Sequence, residues 1–168
     1  KMLEKYGKKI IGWDEILEGG LSENATVMSW RGIDGGIEAA KQGHDVIMTP
    51  GSGGLYLDHY QGDSKIEPIT IPSSPVYLAK TYSFDPVPDV IRKAGLDKHI
   101  LGVQCNNWSE YMYSNAKMEY MMYPRAIALS EIAWSPVSRK NFKDFCRRLD
   151  ANCVRLDERH IHYHIPLP

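Results

Sequence analysis

Six aromatic or acidic side chains stand at or just after short apolar segments of the sequence. They are Trp13, Trp30, Tyr56, Asp58, Trp108 and Glu110. The tyrosine and the aspartate are two residues apart, and so are the last tryptophan and the glutamate. An aromatic ring can stack on the apolar C–H face of a sugar, and carboxylates accept hydrogen bonds from its hydroxyls. These residue types therefore suit a carbohydrate pocket, and they suit a phosphate poorly.

The residue types alone leave two alternatives open, one for the tryptophans and one for the carboxylates. A lone Trp at a strand end is more often core packing than a ligand contact, but its repetition at successive strand ends favours a pocket. From their spacing alone, Asp58 and Glu110 could also be the acid and nucleophile pair of a glycosidase.

Four short apolar runs predict the strands that position these residues. They span residues 8–13, 25–30, 44–50 and 99–108. Helices or long loops separate them, which predicts β/α units and a parallel sheet. In parallel β/α architectures the working residues collect just past the carboxyl ends of the strands. We therefore expect the aromatic and acidic side chains to meet at one rim.

The remaining segments predict helices and one long loop. A helix is predicted over residues 37–42 and closed by Gly43, and another over 115–134, which Pro124 should kink or break. A third helix, over 138–156, has an apolar face formed by Phe142, Phe145, Leu149, Cys153 and Leu156. Residues 51–88 are rich in Gly, Pro, Ser and Tyr, which predicts a long functional loop with short helical turns.

Composition narrows the possible classes of protein. The 168 residues suffice for one ordinary domain, and a net charge of −1 provides no basic surface for nucleic acid or anionic membranes. No apolar run approaches the roughly 20 residues that cross a bilayer. The three cysteines cannot all pair and show no CxxC spacing, so we predict neither a disulfide framework nor a zinc knuckle. Cys146 and Cys153 are better explained by one face of a helix.

Four motifs carry a specific resemblance in the order in which they occur. They are GWDEILEGG at 12–20, SWRG at 29–32, YLDHYQ at 56–61 and GVQCNNWSEY at 102–111. Together they resemble the β-N-acetylhexosaminidases of glycoside hydrolase family 20. The resemblance implies an α/β fold, the C-terminal half of a (β/α)8 TIM barrel with about four parallel strands. Residues 1–168 would then be a single, incomplete catalytic domain.

The family's chemistry implies a role for each of the six residues. In this family the 2-acetamido carbonyl of the sugar attacks its own anomeric carbon, which gives an oxazolinium intermediate and retention of configuration. By resemblance the three tryptophans enclose the N-acetyl group and the sugar face, with Trp108 as the floor. Tyr56 would donate its hydroxyl to the acetamido oxygen and is the catalytic candidate of this chain. Asp58 and Glu110 would bind the hydroxyls at C4 and C6.

The family's catalytic Asp-Glu pair, in an H-x-G-G-D-E motif, does not occur in this sequence. Asp14 and Glu15 follow Ile-Gly-Trp instead, so we expect Asp14 to cap the next helix and Glu15 to make a local salt bridge or loop contact. The family's substrate-binding Arg near the first strand is missing as well. The resemblance therefore implies a part of a hydrolase acting on terminal GlcNAc or GalNAc, and the isolated chain is predicted to be inactive. The alternatives are a non-catalytic GlcNAc-binding module and an inert truncation fragment.

The resemblance also implies partners and a compartment. The substrate would be a glycan or chitin oligomer that ends in N-acetylhexosamine, and the exposed edges of a half-barrel would pair with an N-terminal half or with a second copy. Nucleic acid, membrane and cofactor are not expected. The family suggests an exported or lysosomal enzyme. Because the chain begins with Lys1 and its first residues lack the apolar core of a signal peptide, we expect a processed chain or a piece of a longer protein.

Three further features have structural interpretations. Arg31 is expected to form a salt bridge beneath the rim, and Trp134 is expected to pack in the core or at the barrel bottom. The histidines at 160, 162 and 164 alternate as zinc ligands on a strand would, but no fixed fourth ligand accompanies them, so no metal site is predicted.

Overall fold

The computed structural model describes residues 2–165, so Lys1 and residues 166–168 of the predicted 1–168 domain lie outside the described part. The chain forms two compact units. The sheet unit comprises Lys1–Ser52 and Asp85–Gln104, and the helical unit comprises Gly53–Phe84 and Cys105–Pro168.

The sheet unit contains the four predicted strands. They are β1 (Ile10–Trp13), β2 (Ala25–Ser29), β3 (Val46–Met48) and β4 (Ile100–Val103). All neighbours pair in parallel, in the order β1-β2-β3-β4. The prediction of a four-stranded parallel sheet is thus confirmed.

The inner strands and two helices form the core of the sheet unit. Val27, Val46 and Met48 are buried completely. Helix α1 (Asp34–Lys41) contacts β2 and β3. Gly36 permits this close approach, because a Cβ atom there would stand 3.0 Å from the side chains of Met48 and Val46. A short helix, α3 (Asp89–Lys93), also contacts α1. No helix or strand was predicted from the sequence for this segment.

The fourth strand is shorter than the sequence indicated. It was expected to continue to Trp108, but β4 ends at Val103, five residues earlier. Its partner β3 ends at Met48, whose carbonyl accepts a last hydrogen bond from the Gln104 amide at 2.9 Å. Among residues 2–165 no further pairing is added to β4 beyond that point, and the amide side chains at 104, 106 and 107 do not continue the apolar run.

Four helices shape the helical unit. They are α2 (Leu78–Ser83), α4 (Asn115–Met122), α5 (Arg125–Trp134) and α6 (Phe142–Glu158). The helix predicted over 115–134 is broken at Pro124, as expected, because proline lacks the amide that would continue it. Ser114 and Asn141 cap α4 and α6 by accepting backbone amide hydrogen bonds at 3.1 Å and 3.0 Å. The long loop over 51–88 contains a short 3-10 turn at Gly51–Gly53 as well as α2.

The core of the helical unit joins α2, α5 and α6. Its buried residues are Leu78, Tyr82, Ala128, Ile132, Phe145 and Leu149. Of the predicted apolar face of α6, Phe145, Leu149 and Leu156 are buried, whereas Phe142, the first residue of the helix, is 37% exposed. Cys146 and Cys153 pack against the same core without forming a disulfide. The prediction for Trp134 is wrong, because this side chain is 90% exposed. It is the last residue of α5, where the helix leaves the core.

Among the helices of residues 2–165, none is both long and apolar enough to span a bilayer.

Candidate functional site

The sheet unit places Trp13 and Trp30 at the carboxyl ends of neighbouring strands. Trp13 is the last residue of β1 and Trp30 directly follows β2. Both side chains are half-buried. Parallel pairing of the two strands is what brings their ends to one edge of the sheet, as the sequence predicted.

Asp14 fixes how the chain leaves β2. Its carboxylate is buried and accepts hydrogen bonds from the backbone amides of Trp30 and Arg31 at 3.2 Å and 3.3 Å. The Arg31 guanidinium donates to the same carboxylate at 2.6 Å. A Cβ atom at Gly35 would lie 2.9 Å from the Asp14 side chain, so glycine is needed to leave room for it.

The expectation that Asp14 caps the following helix is therefore wrong. The 3-10 turn Asp14–Gly19 begins after Trp13 without a side-chain cap. The carboxylate instead binds the end of the neighbouring strand, because two backbone amides and a guanidinium there provide more hydrogen bonds than one helical amide. The predicted salt bridge of Arg31 is confirmed, with Asp14 and with Glu18. The hydrogen bonds that the guanidinium donates to Glu18 and to Asp14 raise the pKa of Arg31.

Glu15 holds the indole of Trp30. Its two carboxylate oxygens accept from the indole Nε1 at 3.0 Å and 2.9 Å. This hydrogen bond, more than the nearby Arg31 charge, lowers the pKa of Glu15. The predicted loop contact of Glu15 is confirmed, and it orients the ring of a predicted pocket residue.

The helical unit brings Tyr56 and Trp108 together although 52 positions separate them in the sequence. Tyr56 and Asn106 form an isolated parallel bridge, in which the Leu57 amide donates to the Asn106 carbonyl at 2.7 Å. The Asn106 amide donates to the Leu55 carbonyl at 2.8 Å. The Tyr56 and Trp108 rings then meet edge to face, with centroids 6.3 Å apart. This bridge takes the place of the strand end that the sequence assigned to Trp108.

Asp58 is a buried carboxylate with unused hydrogen-bonding capacity. The residue is 4% exposed, and its Oδ1 atom has no hydrogen-bond partner among residues 2–165. Burial raises the pKa of Asp58, and the charge of Glu110 raises it further, while His59 and Arg125 oppose both effects. A buried acceptor without a partner is costly, and a ligand hydroxyl would satisfy it.

Glu110 lies on the surface of the same unit. It belongs to the exposed 3-10 turn Ser109–Tyr111, two residues after Trp108. A cleft of about 340 Å³ is lined by this turn, by Met112 and Tyr113, and by Ile69. Glu110 is therefore accessible to a ligand from solvent, whereas Asp58 is buried and accessible only to a ligand group that enters the interior of the site.

Arg125 is a buried site residue that the sequence reasoning missed. It is the first residue of α5 and is completely buried. Its guanidinium hydrogen bonds to the carbonyls of Leu57 and His59, on either side of Asp58. A signal was present, because Arg125 lies three and seven positions before Ala128 and Ile132 on the buried stripe of α5.

Two of the three alternating histidines have separate carboxylate neighbours. His164 stands 3.5 Å from the buried Glu67, and the His162 amide donates to Glu119. Across residues 2–165, no group of three or more His, Cys, Asp or Glu side chains could hold a metal ion.

The four parallel strands and the helices between them define an α/β protein. The catalytic-domain model of glycosyl hydrolase family 20 matches residues 1–137. The chain thus belongs to glycosyl hydrolase family 20, as its motifs indicated.

Similar proteins of known sequence are longer than this chain. A beta-hexosaminidase of Porphyromonas gingivalis is 57% identical over 170 aligned positions, which cover 100% of this chain and 21% of that protein. A beta-hexosaminidase of Vibrio furnissii is 35% identical over 77% of this chain and 21% of its own length. The chain therefore spans about a fifth of these relatives.

Solved structures agree with the fold. An exo-beta-N-acetylglucosaminidase of family 20 from Vibrio harveyi, solved in complex with N-acetylglucosamine, superposes with a TM-score of 0.90. It is 30% identical, and the match covers 99% of this chain and 26% of that one. An N-acetyl-beta-hexosaminidase from Streptomyces plicatus gives a TM-score of 0.82 at 25% identity, over 97% of this chain and 33% of that one.

Proposed function

We propose that this chain is the C-terminal part of the catalytic barrel of a β-N-acetylhexosaminidase. The enzyme would remove terminal, non-reducing GlcNAc or GalNAc from glycans or chitin oligomers. This chain would supply the sugar and N-acetyl pocket, while the catalytic Asp-Glu pair would come from the rest of the enzyme. The observation that carries the proposal is the buried Asp58, whose Oδ1 atom has no hydrogen-bond partner among residues 2–165. Asp58 lies two residues after Tyr56, whose ring contacts that of Trp108.

Recognition of the sugar follows from the chemistry of these groups. Trp108 is 40% exposed, so part of its ring surface can stack on a pyranose. Asp58 would accept a hydrogen bond from a ring hydroxyl, at C4 or C6 by the family resemblance, and Glu110 would bind the other. A sugar that lacks the hydroxyl would leave a buried acceptor unpaired, which makes Asp58 a determinant of specificity.

Tyr56 would act on the reacting acetamido group. In substrate assistance the carbonyl oxygen of this group forms a bond to C1, the bond from C1 to the leaving oxygen breaks, and a general acid outside this chain protonates the leaving group. A hydrogen bond from the Tyr56 hydroxyl to the acetamido oxygen would position this nucleophile and stabilise the intermediate. Water then opens the oxazolinium ion. Trp13 and Trp30 are proposed to contact the N-acetyl group.

The decisive experiment measures hydrolysis of a chromogenic N-acetyl-β-glucosaminide by the complete gene product. Tyr56→Phe removes only the hydroxyl and is expected to lower kcat/KM by about 100-fold to 1,000-fold, as the loss of one preorganised donor does. Glu110→Gln should raise KM through the loss of a charged acceptor. Ser130→Ala is the matched control, since its hydroxyl only donates to the Ala126 carbonyl on the exposed side of α5.

Full activity of Tyr56→Phe would contradict the role of this hydroxyl. If the complete protein binds GlcNAc in calorimetry but hydrolyses nothing, the binding-module alternative replaces the hydrolase. If it neither binds nor hydrolyses, the chain is part of an inert protein.

A further inference from the structure

Arg125 binds an unusual number of backbone carbonyls for one side chain. Its Nη2 atom donates to the carbonyls of Leu57 and Met121 at 2.6 Å each, and its Nη1 atom donates to those of His59 and Val76 at 3.1 Å each. One guanidinium thus ties the first turn of α5 to two separate parts of the long loop.

The bonds of Arg125 bracket Asp58. Leu57 and His59 are its two neighbours in sequence, and the carbonyl of Asp58 itself accepts a hydrogen bond from the Thr70 hydroxyl. Three consecutive carbonyls are therefore held by side chains from elsewhere in the unit. Thr70 is 1% exposed, so water cannot readily replace its hydroxyl there.

Holding this position with a buried cation is energetically demanding. Burial lowers the pKa of Arg125 to about 9, and the charges of Glu67 and Asp58 oppose this effect, so the guanidinium remains charged at neutral pH. Only a planar fork with several donors reaches carbonyls that diverge in this way, and a lysine ammonium cannot. A residue whose sole task was to fill the core would not need this charge.

Tyr56 is fixed by a different set of contacts. The bridge to Asn106 holds the backbone on both sides of Tyr56, through the Leu57 amide and the Leu55 carbonyl. The carbonyls bound by Arg125 lie on both sides of Asp58 instead. A disturbance at Arg125 should therefore act mainly on the carboxylate of Asp58.

We propose that Arg125 is a positioning residue that holds the Asp58 carboxylate in the orientation in which it accepts a substrate hydroxyl. This inference rests on the proposed function, because it requires that Asp58 contacts the sugar. Thr70 assists by binding the Asp58 carbonyl.

A double-mutant cycle in the complete enzyme tests the proposal. The kcat and KM values of wild type, Arg125→Lys, Asp58→Ala and the double variant are measured on the chromogenic substrate, well below the lowest Tm of the four. Each single change is expected to lower kcat/KM by about 100-fold, the loss associated with a misplaced contact. In the double variant, Arg125→Lys should lower kcat/KM by less than about threefold relative to Asp58→Ala alone, because no carboxylate remains for Arg125 to position.

Lys140→Met is the matched control for Arg125. The Lys140 ammonium also donates to two carbonyls, those of Ser83 and Phe84, which lie far from Asp58 in the sequence. This variant should keep wild-type kcat/KM. Losses that multiply in the Arg125 and Asp58 double variant, or wild-type kcat/KM in Arg125→Lys, would overturn the positioning role.

A second variant guards against misfolding of Arg125→Lys. Thr70→Val keeps the shape of the side chain and removes only the hydrogen bond to the Asp58 carbonyl. In a cycle with Asp58→Ala it should show the same coupling, and independent losses would again refute the proposal. Wild-type activity of Asp58→Ala would instead refute the sugar contact of Asp58, and the positioning role of Arg125 with it. If Asp58→Ala loses activity while Arg125→Lys and Thr70→Val keep it, only the positioning role of Arg125 is refuted.

Discussion

At the scale of single residues, the carboxylates of this chain divide into saturated and unsaturated groups. Asp14 accepts hydrogen bonds from two backbone amides and from the Arg31 guanidinium, so its carboxylate has little remaining hydrogen-bonding capacity for a substrate. Asp58 is equally buried but has an oxygen without a partner in the described residues. The difference separates a carboxylate that builds the scaffold from one that is suited to bind.

Asp58→Asn should make the protein more stable and less active. Burial raises the pKa of Asp58, so the folded state binds its proton more tightly than the unfolded state does. Stability from this group is therefore present at acid pH and is lost as pH rises through the raised pKa. At neutral pH the neutral amide should therefore raise the Tm above that of the wild type, while kcat/KM falls.

The same substitution should change the pH profile. The acid limb of kcat/KM in the wild type should lie above the pH range of an ordinary aspartate, because the carboxylate must be ionised to accept well from the sugar. Asp58→Asn should lose this limb. An unshifted limb in the variant would assign it to another group. A lower Tm in Asp58→Asn would contradict the inferred cost of the buried charge.

At the scale of secondary structure, the helices of the helical unit are joined by a polar contact as well as by their core. Glu131 of α5 accepts two hydrogen bonds from Arg148 of α6, at 2.6 Å and 2.8 Å, and a third from the Tyr82 hydroxyl of α2. The Glu131 side chain is 14% exposed, so the contact is only partly screened by water. It fixes the rotation of the three helices about their shared core.

Glu131→Gln should destabilise the protein by about 2 kcal/mol at neutral pH, the order of a half-buried charged hydrogen bond. Hydrogen bonds from Arg148 lower the pKa of Glu131, so this contribution is present above the unfolded pKa and is lost as pH falls through the folded one. Denaturant unfolding of wild type and variant should thus converge at acid pH.

Arg147→Gln is the control for this ion pair. Its partner Asp144 is three residues away on the same helix and both are well exposed, so the expected change is below about 0.5 kcal/mol. An equal loss in both variants would show that surface charge in general, not the contact between helices, sets the stability.

At the scale of the whole molecule, the sheet presents two edge strands. In the described part of the chain, β1 and β4 each have a neighbour on one side only. Ile11 on β1 is 55% exposed and Leu101 on β4 is 59% exposed. We propose that the remainder of the barrel covers these edges in the complete enzyme, in keeping with relatives of which this chain spans 21%.

The isolated chain should therefore associate and should not hydrolyse. Size-exclusion chromatography with light scattering should detect dimers or larger species, because unpaired edges and exposed apolar side chains favour self-association. Ile11→Lys should shift the population toward monomer, and Val154→Lys, a similarly exposed site on α6, should not. A monodisperse wild-type monomer would contradict the proposed need for a partner.

The sequence alone determined the features that depend on neighbouring residues. The apolar runs fixed β1, β2 and β3, Pro124 fixed the break between α4 and α5, and the spacing of Phe145 and Leu149 fixed the buried face of α6. Ordered motifs such as GWDE and NNWSEY also determined the family, because each contains the residues at the end of a predicted strand together with the side chains that follow it.

Only the tertiary structure decided what depends on distant partners. It brought Tyr56 beside Trp108, ended β4 at Val103, and exposed Trp134. It also buried Arg125 beneath the carbonyls that flank Asp58. Burial and hydrogen-bond pairing at these positions depend on packing between segments that are distant in the sequence. No local pattern in the chain records which of its polar groups will be covered.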